Sequence, residues 1–132
     1  MHERPRSKTV ESPPGRHPAR CPAGKRVVAT CDWPLGAGRT LTFTIFDYDA
    51  TEWKTVGGLY IFARVAGDGW DPLYVGRTEN FRTRIPAHER WEEACRLGAT
   101  QVHALVVPLE ASRVRLEAAL IRQLKPPMNE RP

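Results

Sequence analysis

The sequence predicts a small α/β domain whose elements run in the order β-β-α-β-α. Its centre is a mainly antiparallel three-stranded sheet flanked by helices, with one extra strand on the N-terminal side. Three observations predict this. Residues 59–65 and 73–77 are strand-like runs joined by a loop that contains Asp68-Gly69. Residues 101–107 form a third run, rich in Val and Leu. Residues 110–125 place apolar side chains at helical spacing and stop before Pro126-Pro127.

The elements follow in order along the chain. Residues 1–25 hold five of the 12 prolines and almost nothing apolar. Such a segment buries too little surface to offset its ordering entropy, so residues 1–26 are expected to be a disordered basic tail. Residues 27–56 form an N-terminal extension. Within it, residues 27–38 hold a short apolar patch that ends in a Pro- and Gly-containing turn. Residues 39–46 alternate Leu41, Phe43 and Ile45 with Thr42 and Thr44, the pattern of a half-buried strand. A polar connection carrying Trp53 follows.

Residues 57–132 form the main domain. Gly57-Gly58 opens the first strand, in which Leu59, Ile61, Ala63 and Val65 share one face and Tyr60, Phe62 and Arg64 the other. Thr78 is the expected N-cap of a helix holding Phe81 and Ile85, which Pro86 interrupts. A second helix should stop at Gly98.

The 132 residues carry 20 Lys plus Arg and 15 Asp plus Glu, a formal charge of +5. Seven of the basic and two of the acidic residues lie in residues 1–26. The remaining 13 of each sign cancel, so the whole excess belongs to the tail. That segment should add salt-dependent, sequence-blind affinity for nucleic acid. No run is apolar and long enough to span a bilayer, and the N-terminus lacks the hydrophobic stretch of a signal peptide. A cytoplasmic location without a membrane partner is expected. Cys21, Cys31 and Cys95 are widely spaced and odd in number, which indicates neither a disulfide framework nor a zinc site.

Two groups of residues could carry chemistry. At about 100° per residue, Val114, Leu116, Ala118, Leu120, Ile121 and Leu124 form one apolar arc of the last helix. Glu117 falls inside that arc. A carboxylate facing a core needs a cation, which is either a metal or a neighbouring Arg. Periodicity leaves both open. Arg77, Arg82, Arg84 and Arg90 cluster with only Glu79 and Glu89 to balance them. Guanidiniums suit bidentate phosphate contacts, and an exposed helix face laced with ion pairs is the plainer reading.

Taken together, the positions form a pattern. Gly58-Leu59-Tyr60 is followed after a hairpin by Tyr74-Val75-Gly76. Arg84, His88, Glu117 and Asn129 come after it in that order. The stretch from 57 to 129 resembles the GIY-YIG nuclease domain, found in excision-repair, homing and restriction endonucleases. The resemblance implies a metal-dependent endonuclease acting on DNA. In that reading Tyr60 is a general base or positions water, and Tyr74 contacts phosphate or the water network. Arg84 stabilises charge on the scissile phosphate, and His88 relays or assists. Glu117 holds Mg2+ or Mn2+, and Asn129 orders the site or contacts DNA. Arg77 stands where a basic residue is common, and Arg77, Arg82 and Arg84 would bind DNA phosphates.

Three departures accompany the match. The gap between the tyrosine motifs, residues 61–73, is longer than usual. Pro86 falls between Arg84 and His88, which breaks their expected alignment on one helix. No DNA-binding module is expected after Asn129, so targeting should fall to the domain, the tail, a protein partner or an oligomer. A catalytically silent nucleic-acid-binding module of the same fold is the alternative function. A structural domain held by a buried Glu–Arg pair is a third reading.

Overall fold

The computed structural model describes residues 29–49 and 52–130, and Ser7–Lys8 as backbone. The strands are β1 (Ser7–Lys8), β2 (Thr30–Gly36), β3 (Arg39–Asp47), β4 (Gly58–Ala66), β5 (Gly69–Thr78) and β6 (Gln101–Val106). The helices are α1 (Phe81–Arg84), α2 (Trp91–Arg96) and α3 (Glu110–Leu124), followed by a 3-10 turn, Pro127–Asn129. Residues 58–124 therefore keep the order β-β-α-β-α, with two short helices in the first helical position.

The sheet is larger than expected. One six-stranded sheet runs β1-β2-β3-β6-β4-β5, and every pairing in it is antiparallel. The expectation of three central strands plus one fails because the extension is a complete hairpin, β2–β3. Cys31, Trp33 and Leu35 alternate inward along β2, and Pro34 sits on the outward side. Near a sheet edge its missing N–H does little harm. Most of the predicted tail lies outside the described residues. Ser7 and Lys8 pair in backbone register with Cys31 and Thr30.

Both faces of β4 are buried, which is why its alternation joins two apolar sets. Leu59, Ile61 and Ala63 pack with Trp33, Phe43, Val75, Leu120 and Leu124 beneath α3. Tyr60 and Phe62 pack on the other face with Trp53, Phe81, Ile85 and Met128. Phe62 pairs with Tyr74 and Ala63 with Pro72, so Leu73 is the extra residue of a β-bulge. The bulge absorbs the long spacing between the motifs and restarts the alternation just before Tyr74.

The apolar arc of α3 is narrower than its sequence implied. Leu120 and Leu124 are buried, with Leu116, Ala119 and Ile121 partly so, but Val114 is 43% exposed and Ala118 is exposed. Arg113 is buried in their place. Its Nη1 donates to the carbonyls of Val107 and Pro108, each at 2.9 Å, tying α3 to the exit of β6. No helix among the described residues is long and apolar enough to cross a membrane.

Candidate active site

Tyr60 and Gly76 face each other across the β4–β5 ladder. A Cβ at Gly76 would lie 2.5 Å from both Cζ and the hydroxyl oxygen of Tyr60. The glycine is there because the Tyr60 ring lies across the neighbouring strand. Gly58 answers a second crowding, since a Cβ there would strike the Leu105 carbonyl and the Phe81 ring. The two motif glycines are thus packing requirements of β4, β5 and β6, and they set where the Tyr60 hydroxyl emerges.

That hydroxyl meets His88 Nε2 at 2.7 Å. The His88 tautomer follows from its other nitrogen. The backbone N–H of Arg90 donates to Nδ1 at 3.1 Å, so the proton of a neutral ring sits on Nε2. Burial, with Arg84 and Arg90 nearby, lowers the His88 pKa to about 4, which keeps the ring neutral at pH 7. Nε2–H therefore donates to the Tyr60 oxygen. Burial pushes the Tyr60 phenol above its ordinary range, and the nearby Arg84 guanidinium works against this. Tyr74 lies on the same side, with ring centroids 6.3 Å from Tyr60 and 5.4 Å from His88. Burial raises its phenol as well, while Arg90 and Arg84 oppose the shift.

Arg84 closes the one-turn helix α1. Its expected N-cap, Thr78, is displaced because β5 runs on through Thr78. Asn80 takes the capping role, accepting from the Arg82 N–H at 3.0 Å. Pro86 does end the helix, yet His88 still reaches Tyr60, because the 85–88 segment folds as a turn with His88 N–H donating to Ile85 O. Arg84 grips Glu89 with two nitrogens, at 2.8 and 3.1 Å, an arrangement of the kind a phosphate would accept. Glu89 raises the Arg84 pKa further and is itself held well below the usual carboxylate range.

The remaining predicted residues divide. Glu117 pairs with Arg77, whose side chain leaves β5 on the face shared with Val75 and α3. The pair is a short contact with side-chain exposures of 16% for Glu117 and 44% for Arg77. The negative charge of Glu117 reaches both Tyr60 and Tyr74, raising each. Arg82 is exposed and contributes its backbone N–H to the Asn80 cap. Asn129 brackets Val75 as a strand would. Its Oδ1 accepts from Val75 N–H at 2.7 Å and its Nδ2 donates to Val75 O at 2.9 Å, one residue from Tyr74.

Two participants carried no motif signal. Glu89 was visible only as a balancing acid, five positions after Arg84. Arg90 was visible as one member of the arginine cluster. Its guanidinium lies 5.3 Å above the Tyr74 ring and donates to Met128 O at 3.2 Å. Arg90 thereby links Tyr74 to the turn that carries Asn129.

These side chains gather about the β4–β5 hairpin, and the chain has the GIY-YIG nuclease fold. It is similar to the GIY-YIG N-terminal endonuclease domain of UvrC from Thermotoga maritima, in a tyrosine-to-phenylalanine mutant bound to its catalytic divalent cation. The match has 27% identity, a TM-score of 0.51, and covers 61% of this chain and 90% of that one. A magnesium-bound structure of the same domain matches at 25% identity and a TM-score of 0.48, covering 58% and 85%, too loosely to bear on the site. No protein-family model matches the chain, and no curated protein does.

Proposed function

We propose that this protein is a metal-dependent endonuclease that hydrolyses phosphodiester bonds of DNA. The observation that carries the reading is the Tyr60 hydroxyl, wedged over Gly76, bonded to His88 Nε2 and lying under the influence of the Arg84 charge. A phenol oxygen that already accepts from His88 has its own O–H left to orient an attacking water. In its phenolate form the same oxygen takes that water's proton. Arg84 turns its two-pronged guanidinium from Glu89 to the scissile phosphate, where it meets the charge that develops on the oxygens. Tyr74, held by Arg90 above and by the Asn129–Val75 bracket beside it, lines the path of the phosphate.

The residues present fit a hard divalent cation. Among the described residues no three of His, Cys, Asp and Glu gather into a site, which argues against a soft or fully protein-held metal. A lone carboxylate suits Mg2+, which keeps most of its waters and takes phosphate oxygens as further ligands. Glu117 is that carboxylate, and its part-buried pairing with Arg77 supports a position that favours a cation. When bound, the cation neutralises charge on the phosphate. The UvrC domain at a TM-score of 0.51 binds a catalytic divalent cation, which supports this assignment.

The silent-module reading has one observation in its favour. Glu117 and Arg84 are both satisfied within the chain, by Arg77 and Glu89. A cleavage assay decides between them, using linear, supercoiled, flap and branched DNA with magnesium or manganese. Wild type should cut and Glu117→Ala should not. Equal cutting by the two would overturn the mechanism. Salt-dependent binding without cleavage by wild type would favour the silent module.

A further inference from the structure

The extension ahead of the nuclease motifs reaches the turn between Arg84 and His88 through Tyr48, just beyond the end of β3. Its hydroxyl donates to Ile85 O at 3.1 Å, with Pro86 O at 3.5 Å. Those two carbonyls belong to the turn that joins Arg84 to His88. Its ring lies flat on Trp91, with centroids 3.9 Å apart and planes 4° from parallel. Trp91 stands edge-on to Phe62, and Phe62 edge-on to His88, both at 4.9 Å. Tyr48 therefore holds both ends of the 85–91 segment, by hydrogen bonds at its start and by stacking at its finish.

The segment needs such a hold. Pro86 forbids a continuous helix, and the single turn of α1 ends at Arg84. Short turns of this kind gain little from their own hydrogen bonds. The neighbouring stretch adds two more ties, because Val56 O and Lys54 O accept from the backbone N–H groups of Phe81 and Arg82. The extension thus braces the helix and turn that present both Arg84 and His88.

We infer that Tyr48 is a positioning residue of the nuclease site, fixing the Arg84–His88 turn through Ile85 and Trp91. The catalytic unit then takes in Tyr48 of the extension as well as the motif-bearing part. The inference rests on the nuclease reading for its kinetic consequence but not for its structural one. His88 is faced by Tyr60 from β4, Tyr74 from β5 and Arg84 from α1, with Glu89 and Arg90 from its own turn. A loosened turn admits water to the imidazole and relieves the burial that depresses its pKa.

The test uses the full chain carrying Tyr48→Phe, which keeps the stack and removes the hydroxyl. Its kcat on plasmid DNA with magnesium should fall about fivefold with KM unchanged, the factor one lost neutral hydrogen bond implies. An NMR titration of the histidine rings should show His88 moving upward from its depressed value toward the ordinary 6.5. His103, buried under the other face, should not move and reports that the core is intact. A wild-type His88 titration in Tyr48→Phe overturns the inference, as does a wild-type kcat. If wild type cuts no DNA with any divalent metal, the nuclease reading falls and the titration alone decides the brace.

Discussion

A methyl group placed on Gly76 would fall 2.5 Å from Cζ and the oxygen of Tyr60 and 2.8 Å from its Cε2. None of these atoms can retreat freely. Tyr60 is 1% exposed, and its ring is packed between Phe62, Tyr74 and His88. Gly76→Ala must therefore push the ring aside, which for overpacked cores costs about 1–3 kcal/mol. The 2.7 Å bond to His88 depends on the same ring position, and its loss adds roughly 1 kcal/mol. At about 4–8 °C per kcal/mol for a domain near this size, Tm should fall by roughly 8–30 °C. Thermal unfolding followed by circular dichroism measures this. The decisive arm is a double-mutant cycle with Tyr60→Ala, which removes the ring. In that background Gly76→Ala should cost close to nothing, a coupling of at least about 1 kcal/mol. Additive costs would refute the claim that the glycine exists to admit the Tyr60 ring.

Other predictions follow from the remaining contacts. Asn129→Ala removes both bonds to Val75 and should cost about 2 kcal/mol by urea denaturation, with faster hydrogen exchange at the Val75 amide. His103 is fully buried; Nδ1 accepts from Trp33 Nε1–H at 2.9 Å and Nε2 has no partner among the described residues. Burial lowers its pKa to about 3, below the unfolded value near 6.5. Its stabilising contribution is thus complete above pH 6.5 and declines as pH falls toward 3, by up to about 2 kcal/mol at pH 5. Urea midpoints at pH 7 and pH 5 test that sign. Arg84→Ala should lower kcat by about 10²–10³ without unfolding the chain, as measured on the cleaved substrate. Because burial raises the Tyr60 phenol, cleavage should keep accelerating from pH 7 to pH 9 without a plateau, and an early plateau would assign the base elsewhere.

Much of the site was legible in the sequence because its parts are local. Tyr60 and Gly76, or Tyr74 and its bulge, lie on one hairpin whose alternation and Asp-Gly turn are written in adjacent residues. Glu117 was legible as an anomaly, a carboxylate among leucines, but its Arg77 partner was one of several arginines at the right distance. The β2 strand is masked in the sequence because Pro34 and the glycines after it, Gly36 and Gly38, imitate a loop, although Cys31, Trp33 and Leu35 alternate. Tyr48 left no mark at all. Its contacts are with Ile85 and Trp91, 37 and 43 positions away, and nothing in a polar connection distinguishes a tyrosine that braces from one that is merely exposed.

The order of strands has a consequence for how the chain reaches this state. β2–β3 and β4–β5 are hairpins that form from neighbouring residues, whereas β6 lies between them and pairs with both. Ala104 stands opposite Thr44 on one side and Tyr60 on the other. Local hairpins close early and a distant strand joins late, since its loop entropy must be met first. Until residues 101–106 insert, β3 and β4 each present an open edge in water, the kind of surface through which chains pair with one another. The entry of β6 then joins the β2–β3 hairpin to the β4–β5 hairpin and removes both edges at once. Refolding yield should depend on protein concentration during that interval and become indifferent to it afterwards.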